Sequence, residues 1–206
     1  MNIFDLYYQD YEKWFEKHPQ IYEEELKTIR TLLPEGKGME VGVGSGRFAA
    51  PLGIKFGIEP SRKMAEIARK RGIEVIEITA EEMDYKDEFD FILMVTTICF
   101  VKDPLKTIQN CYKALKNQGY LLIAFVDLSS SLGKIYEKNK NTSKFYAPAT
   151  FFTKNDIINL MKKAGFKNFE CKENLYGKTL NSLKFEINEC NGGAFKVVRG
   201  KKIMKM

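Results

Sequence analysis

The stretch from Met39 to Phe48, MEVGVGSGRF, has the residue types of a turn that binds a nucleotide or a nucleoside. Gly42, Gly44 and Gly46 occupy alternate positions behind an acidic residue and a short apolar run. Between a strand and a helix, such glycines allow backbone N–H groups to face a ligand, and they permit torsion angles that other residues avoid. We therefore expect a ligand to lie directly against this backbone.

Two kinds of binding site use a strand followed by a glycine turn. Residues 44–49 match the dinucleotide fingerprint G-x-G-x-x-G/A, and Glu59 ends the next strand, where the fingerprint has an acidic residue for the ribose hydroxyls. The fingerprint also needs a full helix after the turn to hold a pyrophosphate, whereas Pro51 leaves room for only a very short one. A nicotinamide-dependent oxidoreductase is thus an alternative interpretation.

The series of segments that follows resembles the class I S-adenosylmethionine-dependent methyltransferases, in particular the small type 11 group. The resemblance extends from about residue 37 to 166 and includes EVGVGSGRF, GIEPSRKMAEIARKRG, TAEEMDYKDEFDFILMVTT, KDPLKTIQNCYKALKNQGYLLIAF and FFTKNDIINLMKKAGF. It implies S-adenosylmethionine as cofactor, S-adenosylhomocysteine as product, no metal, and in-line transfer of a methyl group. A protein that binds this cofactor without catalysis is a further alternative.

The resemblance also implies a set of cofactor-binding residues. They are Glu40, Gly42, Gly44, Gly46, Glu59, Ala80, Glu81, Val95 and Thr96. The glycines would lie against the methionine portion of the cofactor, and Glu40 would interact with its ammonium group. Glu59 would accept both ribose hydroxyls from the exposed end of its strand. The Ala80–Glu81 pair would contact adenine, with Thr79 where the family often has an acidic residue, and the last two residues of the set would face the methionine group and the transferred methyl.

The elements around these residues alternate between short apolar strands and helical segments. This alternation predicts an α/β fold with a doubly wound, Rossmann-like, mainly parallel sheet of seven strands, an antiparallel C-terminal strand pair, and helices on both faces. We expect one methyltransferase domain over residues 1–206. It divides into N-terminal cap helices (1–36), a cofactor-binding core (37–126), a lid-like insertion (127–150), and a last helix with the C-terminal strand pair (151–206).

Local signals fix several predicted helix ends. Asp103 and Pro104 begin a helix that we expect to continue to Gly119. Thr153, with Asp156 three residues later, predicts a capping box, and the helix that follows should end at Gly165.

Composition restricts the chemistry. The chain of 206 residues has one histidine, His18. A two-histidine metal site cannot form from it, and a histidine-based triad would have to use this residue. We therefore assign no catalytic residue and no metal. No apolar run is long enough for a membrane span, and the N-terminal stretch is unlike a signal peptide, so we predict a cytoplasmic protein. Cys99, Cys111, Cys171 and Cys190 are far apart and are predicted to be free thiols.

The acceptor is predicted to be a small molecule, covered by the N-terminal helices and the insertion. Tyr11, Trp14 and Tyr136 are the aromatic candidates for that cover. The fourth strand is followed by TTICF and not by the Asn/Asp-Pro-Pro-aromatic motif of amino-group methylation, which disfavours DNA as a substrate although the net charge is +6. The acceptor atom, the use of a general base, the oligomeric state, and the binding of an anionic substrate by the lysine-rich insertion all stay open.

Overall fold

The computed structural model describes residues 2–203; residue 1 and the last three residues of the predicted C-terminal segment, 204–206, lie outside the described residues. The helices are α1 (Ile3–Lys17), α2 (Pro19–Arg30), α3 (Arg62–Lys70), α4 (Pro104–Ala114), α5 (Ser131–Asn139) and α6 (Lys154–Ala164). The strands are β1 (Gly38–Val41), β2 (Phe56–Ile58), β3 (Glu74–Ile76), β4 (Phe89–Val95), β5 (Leu115–Val126), β6 (Lys167–Asn174), β7 (Asn188–Glu189) and β8 (Phe195–Lys201).

These strands form one sheet in the order β3-β2-β1-β4-β5-β8-β6-β7. The first five are parallel, whereas β8 is antiparallel to β5 and to β6, so the predicted fold class and the antiparallel C-terminal pair are confirmed. The sheet has an eighth strand because the two residues of β7 pair with β6. The chain order reverses between β1 and β4, and open α/β sheets bind ligands at the carboxyl ends of the strands at such a switch point.

Strand β4 divides the core into two layers. Phe91, Leu93 and Val95 pack on the side that α1, α2 and α3 cover, and Ile92 and Met94 pack on the side of α4 and α6. A strand buried on both faces reads as a continuous apolar run, which explains the sequence FDFILMV. Among residues 2–203, no helix is long and apolar enough to cross a membrane.

The helix that begins at Pro104 ends earlier than predicted. It stops at Ala114, because the buried Leu115 already pairs with Phe89 as the first residue of β5. Regular pairing resumes at Tyr120 after an irregular stretch, so Gly119 does not stop a helix. The residues after the glycine turn, 47–53, form successive turns and no helix.

Two other helix signals are confirmed. Thr153 and Asp156 form the capping box at the start of α6, with each side chain accepting a backbone N–H of the other residue. Gly165 ends α6 with φ 106°, a left-handed conformation that glycine adopts without strain. Pro19 begins α2 directly after His18, so the N-terminal helices are broken where the sequence indicates.

The prediction of four free thiols is wrong for two of them. Cys171 in β6 and Cys190 form a disulfide, since the pairing of β6 with β7 brings the two Cα atoms to 5.6 Å. Their separation of 19 residues gave no indication of this contact. Cys99 and Cys111 are free and buried, and burial raises the pKa of Cys99 to about 12, so neither is an activated nucleophile.

Removing the disulfide is expected to lower the stability of the C-terminal strands. Cys171→Ser should reduce the free energy of unfolding by about 3 kcal/mol, because the bond closes a loop of 19 residues in the unfolded chain. Denaturant unfolding with and without reductant measures the effect. Reductant should destabilise the parent and leave Cys171→Ser unchanged, and equal stability of parent and variant without reductant would contradict the prediction.

Candidate functional site

A cavity of about 1120 Å³ lies over the carboxyl ends of β1, β2 and β4. Most of the predicted site residues line it, namely Tyr11, Trp14, Gly42, Gly44, Glu59, Ala80, Glu81, Val95, Thr96 and Tyr136. Glu40 and Gly46 are not among the lining residues. A typical pocket for a drug-sized ligand occupies about 300–1,000 Å³, so this volume suits a cofactor together with a small second molecule.

The glycine turn brings bare backbone to the cavity. Gly42 and Gly44 have φ values of 68° and 54°, and the N–H groups of Gly42 and Val43 both donate to the carbonyl of Ile58. A Cβ atom on Gly42 would lie 2.4 Å from Cγ2 of Thr97, so only glycine fits there. Above Gly44, the nearest side-chain atom to an added Cβ is the hydroxyl oxygen of Tyr11, at 3.5 Å.

Gly46 has a packing reason of its own. A Cβ atom there would come within 2.5 Å of Ile73 and 3.3 Å of Ala68, so its absence lets the turn approach α3 closely. The predicted contact of Gly46 with the cofactor stays a prediction.

Glu59 holds the glycine turn in place. One oxygen of its carboxylate accepts the N–H of Gly44 at 2.9 Å, and the other accepts the N–H of Ser61 at 2.8 Å. The expectation of an exposed strand end is wrong, because Glu59 is only 6% exposed. Burial raises the pKa of Glu59 to about 7, and the two backbone hydrogen bonds oppose part of that rise.

Glu40 lies behind the turn, at the end of β1. Its side chain is 1% exposed, and its Oε2 atom is buried without a hydrogen-bond partner among the described residues. Burial raises the pKa of Glu40 well above the usual range, although a backbone hydrogen bond from Ala49 opposes it. A buried carboxyl oxygen without a donor can still accept a hydrogen bond.

The Ala80–Glu81 turn is fixed by the start of α4. Glu81 accepts the N–H groups of Lys102 at 2.7 Å and Asp103 at 3.2 Å. The amide of Asn110 donates to the carbonyls of both turn residues at 3.1 Å. The predicted adenine-facing segment is therefore held rigidly at the cavity wall.

Thr96 directly follows β4 and has an unusual backbone conformation. Its φ is 50°, a left-handed value that is rare for a β-branched residue, while its N–H donates to the carbonyl of Ala124 at 2.8 Å. Strained residues of this kind concentrate at binding sites, where the surrounding structure holds them. The sequence gives no sign of this strain.

Aromatic side chains from α1 and the insertion form the opposite wall. Phe4 of α1 stacks on Phe145 with ring centroids 5.7 Å apart, and Tyr146 stacks on both Phe100 and Tyr136 at 6.1 and 5.3 Å. Side chains of residues 127–150 thus contact the N-terminal helix at the cavity, and the role of this segment as a lid stays a prediction. The sequence reasoning named only Tyr136 as a site residue in this segment.

A partly buried ionic network fixes α1 on the glycine turn. Glu12 accepts from Arg71 at 2.6 Å, from Arg47 at 2.7 Å, and from the hydroxyl of Ser45. Asp5 accepts the hydroxyl of Ser61 at 2.7 Å. Sequence reasoning missed this network, since its members are distant in the chain and follow no recognisable spacing.

Carboxyl groups make up most of the ionisable side chains at the cavity. Among the described residues, the charged ones that line it are Asp10, Glu25, Glu59, Glu81, Glu82 and Lys102. The lysines of the insertion do not line it, although the whole chain carries a net charge of +6. This wall favours a cationic ligand over one that carries phosphate.

The residues present fit S-adenosylmethionine, which carries a sulfonium and an ammonium group. The bare backbone at Gly42 and Gly44, which lines the cavity, suits the methionine portion, whereas the contact of Glu40 with the ammonium group of the cofactor stays a prediction because Glu40 lies behind the turn. Each oxygen of Glu59 accepts one N–H and has further acceptor capacity for the ribose hydroxyls.

Comparison with known proteins gives the family. The family model described as "Methyltransferase domain" matches residues 13–170. A crystal structure of an S-adenosylmethionine-dependent methyltransferase from Thermotoga maritima, described as a possible histamine N-methyltransferase, is 50% identical, with a TM-score of 0.94 and coverage of 97% of this chain and 98% of that one.

Two curated sequences extend this comparison. An uncharacterized protein from Methanocaldococcus jannaschii is 40% identical over 205 residues, which cover 98% of this chain and all of that protein. Phosphoethanolamine N-methyltransferase 2 from Caenorhabditis elegans is 30% identical over 171 residues, 74% of this chain and 38% of that protein. The family match, the sheet order and the geometry of the glycine turn agree, and the chain belongs to the class I S-adenosylmethionine-dependent methyltransferases.

Proposed function

We propose that the protein transfers the methyl group of S-adenosylmethionine to a small-molecule amine. The observation that carries this proposal is the cavity lined by carboxyl groups. The glycine turn forms one wall of this cavity, and the aromatic side chains of α1 and the insertion form the opposite wall. The cavity volume of about 1120 Å³ suits cofactor and acceptor together.

The cofactor supplies an activated methyl group, so the protein has to align the acceptor in line with the bond that breaks and exclude water. Glu59 and the glycine turn hold the nucleoside side. The stacked rings of Phe4, Phe145 and Tyr146 line the cavity on the side of α1 and the insertion, where they would cover the acceptor. This division agrees with a chain that has one histidine and no paired acid and base.

An amine nitrogen is supported as the acceptor by two observations. The relatives from Thermotoga maritima and Caenorhabditis elegans are named for N-methyl transfer to amines. The carboxyl groups that line the cavity favour a cationic acceptor, and aromatic faces attract cations. Only Lys102 among the described lining residues offers a positive charge, which favours an amine without a phosphate group.

S-Adenosylhomocysteine is expected to stabilise the protein, whereas NAD and NADP are not. A ligand stabilises only the state that binds it, so about ten times the Kd of the product cofactor should add about 1.4 kcal/mol and raise the Tm by a few degrees. The pyrophosphate of NAD would face carboxyl groups at the cavity wall. Thermal unfolding at fixed pH with each ligand decides between them, and stabilisation by NAD alone would overturn the proposal.

Catalysis is tested with the methyl-labelled cofactor. Histamine and a pool of primary and secondary amines are incubated with the enzyme and tritiated S-adenosylmethionine, and label in the amine fraction is counted. Transfer to an amine supports the proposal. Transfer only to hydroxyl or thiol compounds would contradict the nitrogen acceptor, and binding of the cofactor without any transfer would favour a non-catalytic protein.

A further inference from the structure

Glu25 is a buried acid that faces the cavity without a partner. It lies on α2, it is 7% exposed, and it lines the chamber between the helices and the strand ends. Among the described residues, no side chain or backbone group forms a hydrogen bond or ion pair with its carboxyl. Its oxygens are not among the fully buried atoms without a partner, so they are open to the cavity, where a ligand can reach them.

The other carboxyl groups of the cavity wall do not share this property. Each has a protein partner: Asp10 binds Lys144, Glu59 binds two backbone N–H groups, Glu81 binds the N–H groups of Lys102 and Asp103, and Glu82 binds Thr79. Glu25 is therefore the lining carboxyl that the described part of the chain leaves without a donor.

Three tyrosines, Tyr11, Tyr136 and Tyr146, line the same cavity as this carboxyl. Burial raises the pKa of Tyr136 to about 12, and the negative charge of Glu25 adds to that rise. Burial also raises the pKa values of Tyr11 and Tyr146, to which Glu25 contributes less than other nearby groups do. These rings come from α1, α5 and the segment after α5. Aromatic faces beside a carboxyl form a pocket for an organic cation.

Burial raises the pKa of Glu25 to about 8. No charged group of α1, β6 or β8, the elements packed against α2, contributes to this shift. A bound cation would lower the pKa of the carboxyl again, because an opposite charge favours its ionised form.

We propose that Glu25 binds the ammonium group of the acceptor amine in the cavity that these tyrosines also line, and that it takes the proton that this group must lose before the nitrogen can accept a methyl group. This inference rests on the proposed function and names the acceptor-binding residue of the same site.

The proton step is balanced as follows. The N–H bond of the ammonium breaks, its electron pair stays on nitrogen, and the proton passes to a carboxylate oxygen of Glu25. The amine is then a neutral nucleophile with a free electron pair. After methyl transfer the methylated product leaves, and the carboxyl releases its proton to water when the next ammonium group binds, because that cation lowers the pKa of the carboxyl.

Binding is measured first, without turnover. Protein saturated with S-adenosylhomocysteine is titrated calorimetrically with benzylamine, 2-phenylethylamine and tryptamine, and with 2-phenylethanol as an uncharged match. Glu25→Gln should weaken amine binding at least ten-fold and leave the alcohol and the cofactor product unaffected. Glu23→Gln, on the exposed face of the same helix, is the matched control and should bind like the parent.

The pH profile then separates a proton acceptor from a structural residue. At pH 7.5, Glu25→Gln should lower kcat/KM for the amine about 100-fold, as loss of a general base does. The gap should narrow as the pH approaches the pKa of the amine, because a neutral amine needs no base. A loss that is constant with pH, or no loss, would overturn the role of Glu25 in proton removal.

Stability checks that the variant is folded. The folded pKa of Glu25 lies above its unfolded value, so the free energy of unfolding of the parent should fall as pH rises from about 4.5 to about 8, and Glu25→Gln should lack this part of the fall. Failure of the parent to bind S-adenosylhomocysteine would overturn the proposed function. If the parent binds S-adenosylhomocysteine but binds none of the three amines, only the inference on Glu25 is overturned.

Discussion

Lys196→Met is expected to lower the free energy of unfolding by about 3–5 kcal/mol, because it removes the cation from a buried ionic cluster. Lys196 of β8 is 4% exposed, forms a short ion pair with Glu173 of β6, and lies 3.6 Å from a carboxylate oxygen of Asp127. Both carboxylates are at most 1% exposed. Methionine keeps the apolar stem of lysine but leaves two buried negative charges without a cation.

The acid dependence of this effect follows from Glu173. Burial would raise its pKa, but hydrogen bonds from Lys196, from backbone N–H groups and from Tyr176 outweigh burial and hold the pKa at about 2. The ion pair therefore contributes stability above the ordinary pKa of about 4.5, and that contribution is lost as pH falls towards 2. The difference in the free energy of unfolding between the parent and Lys196→Met should therefore become smaller as the pH falls from about 4.5 towards 2.

Urea unfolding at pH 7 and at pH 3 measures both effects. The matched control is Lys172→Met in β6, which removes the exposed ion pair with Glu189 and should change stability by less than about 0.5 kcal/mol. An equal loss in the free energy of unfolding for the two lysine variants would show that the buried cluster at Lys196 stabilises the protein no more than an exposed ion pair does.

Glu59→Ala is expected to reduce the affinity for S-adenosylhomocysteine about 30- to 150-fold, or about 2–3 kcal/mol. The variant removes the acceptor for the ribose hydroxyls and also the acceptor for the N–H groups of Gly44 and Ser61. Stability should fall as well, by about 1–2 kcal/mol, since two N–H groups lose a buried partner. An exposed carboxylate at this position would instead leave the free energy of unfolding almost unchanged.

Calorimetric titration and denaturant unfolding separate the two effects of Glu59. Glu59→Gln should lie between parent and Glu59→Ala, because its amide keeps one acceptor oxygen but loses the charge. Glu77→Ala, which breaks an exposed ion pair with Arg69, is the control for a surface carboxylate and should change neither quantity appreciably. Unchanged affinity in a folded Glu59→Ala variant would contradict the position of the ribose.

Contacts between distant residues decided what the sequence could not predict. The disulfide joins Cys171 to Cys190 only because β7 pairs with β6, and the end of α4 at Ala114 follows from the pairing of Leu115 with Phe89. The same holds for the site. The lack of a partner for Glu25 depends on how the helices pack over the strand ends, so only the tertiary structure shows it. The burial of Glu59 against the glycine turn likewise depends on tertiary contacts.

The sequence by itself determined the features that depend on neighbours along the chain. The conformations of the glycine turn, the apolar run of β4, and the start and stop of α6 follow from the torsional freedom of glycine, from hydrophobic pattern and from capping, all of which act within a few residues. The order of strands and helices fixed the fold class for the same reason. Partners of buried charges and cysteines are set by packing across the sheet, so only the tertiary structure decided them.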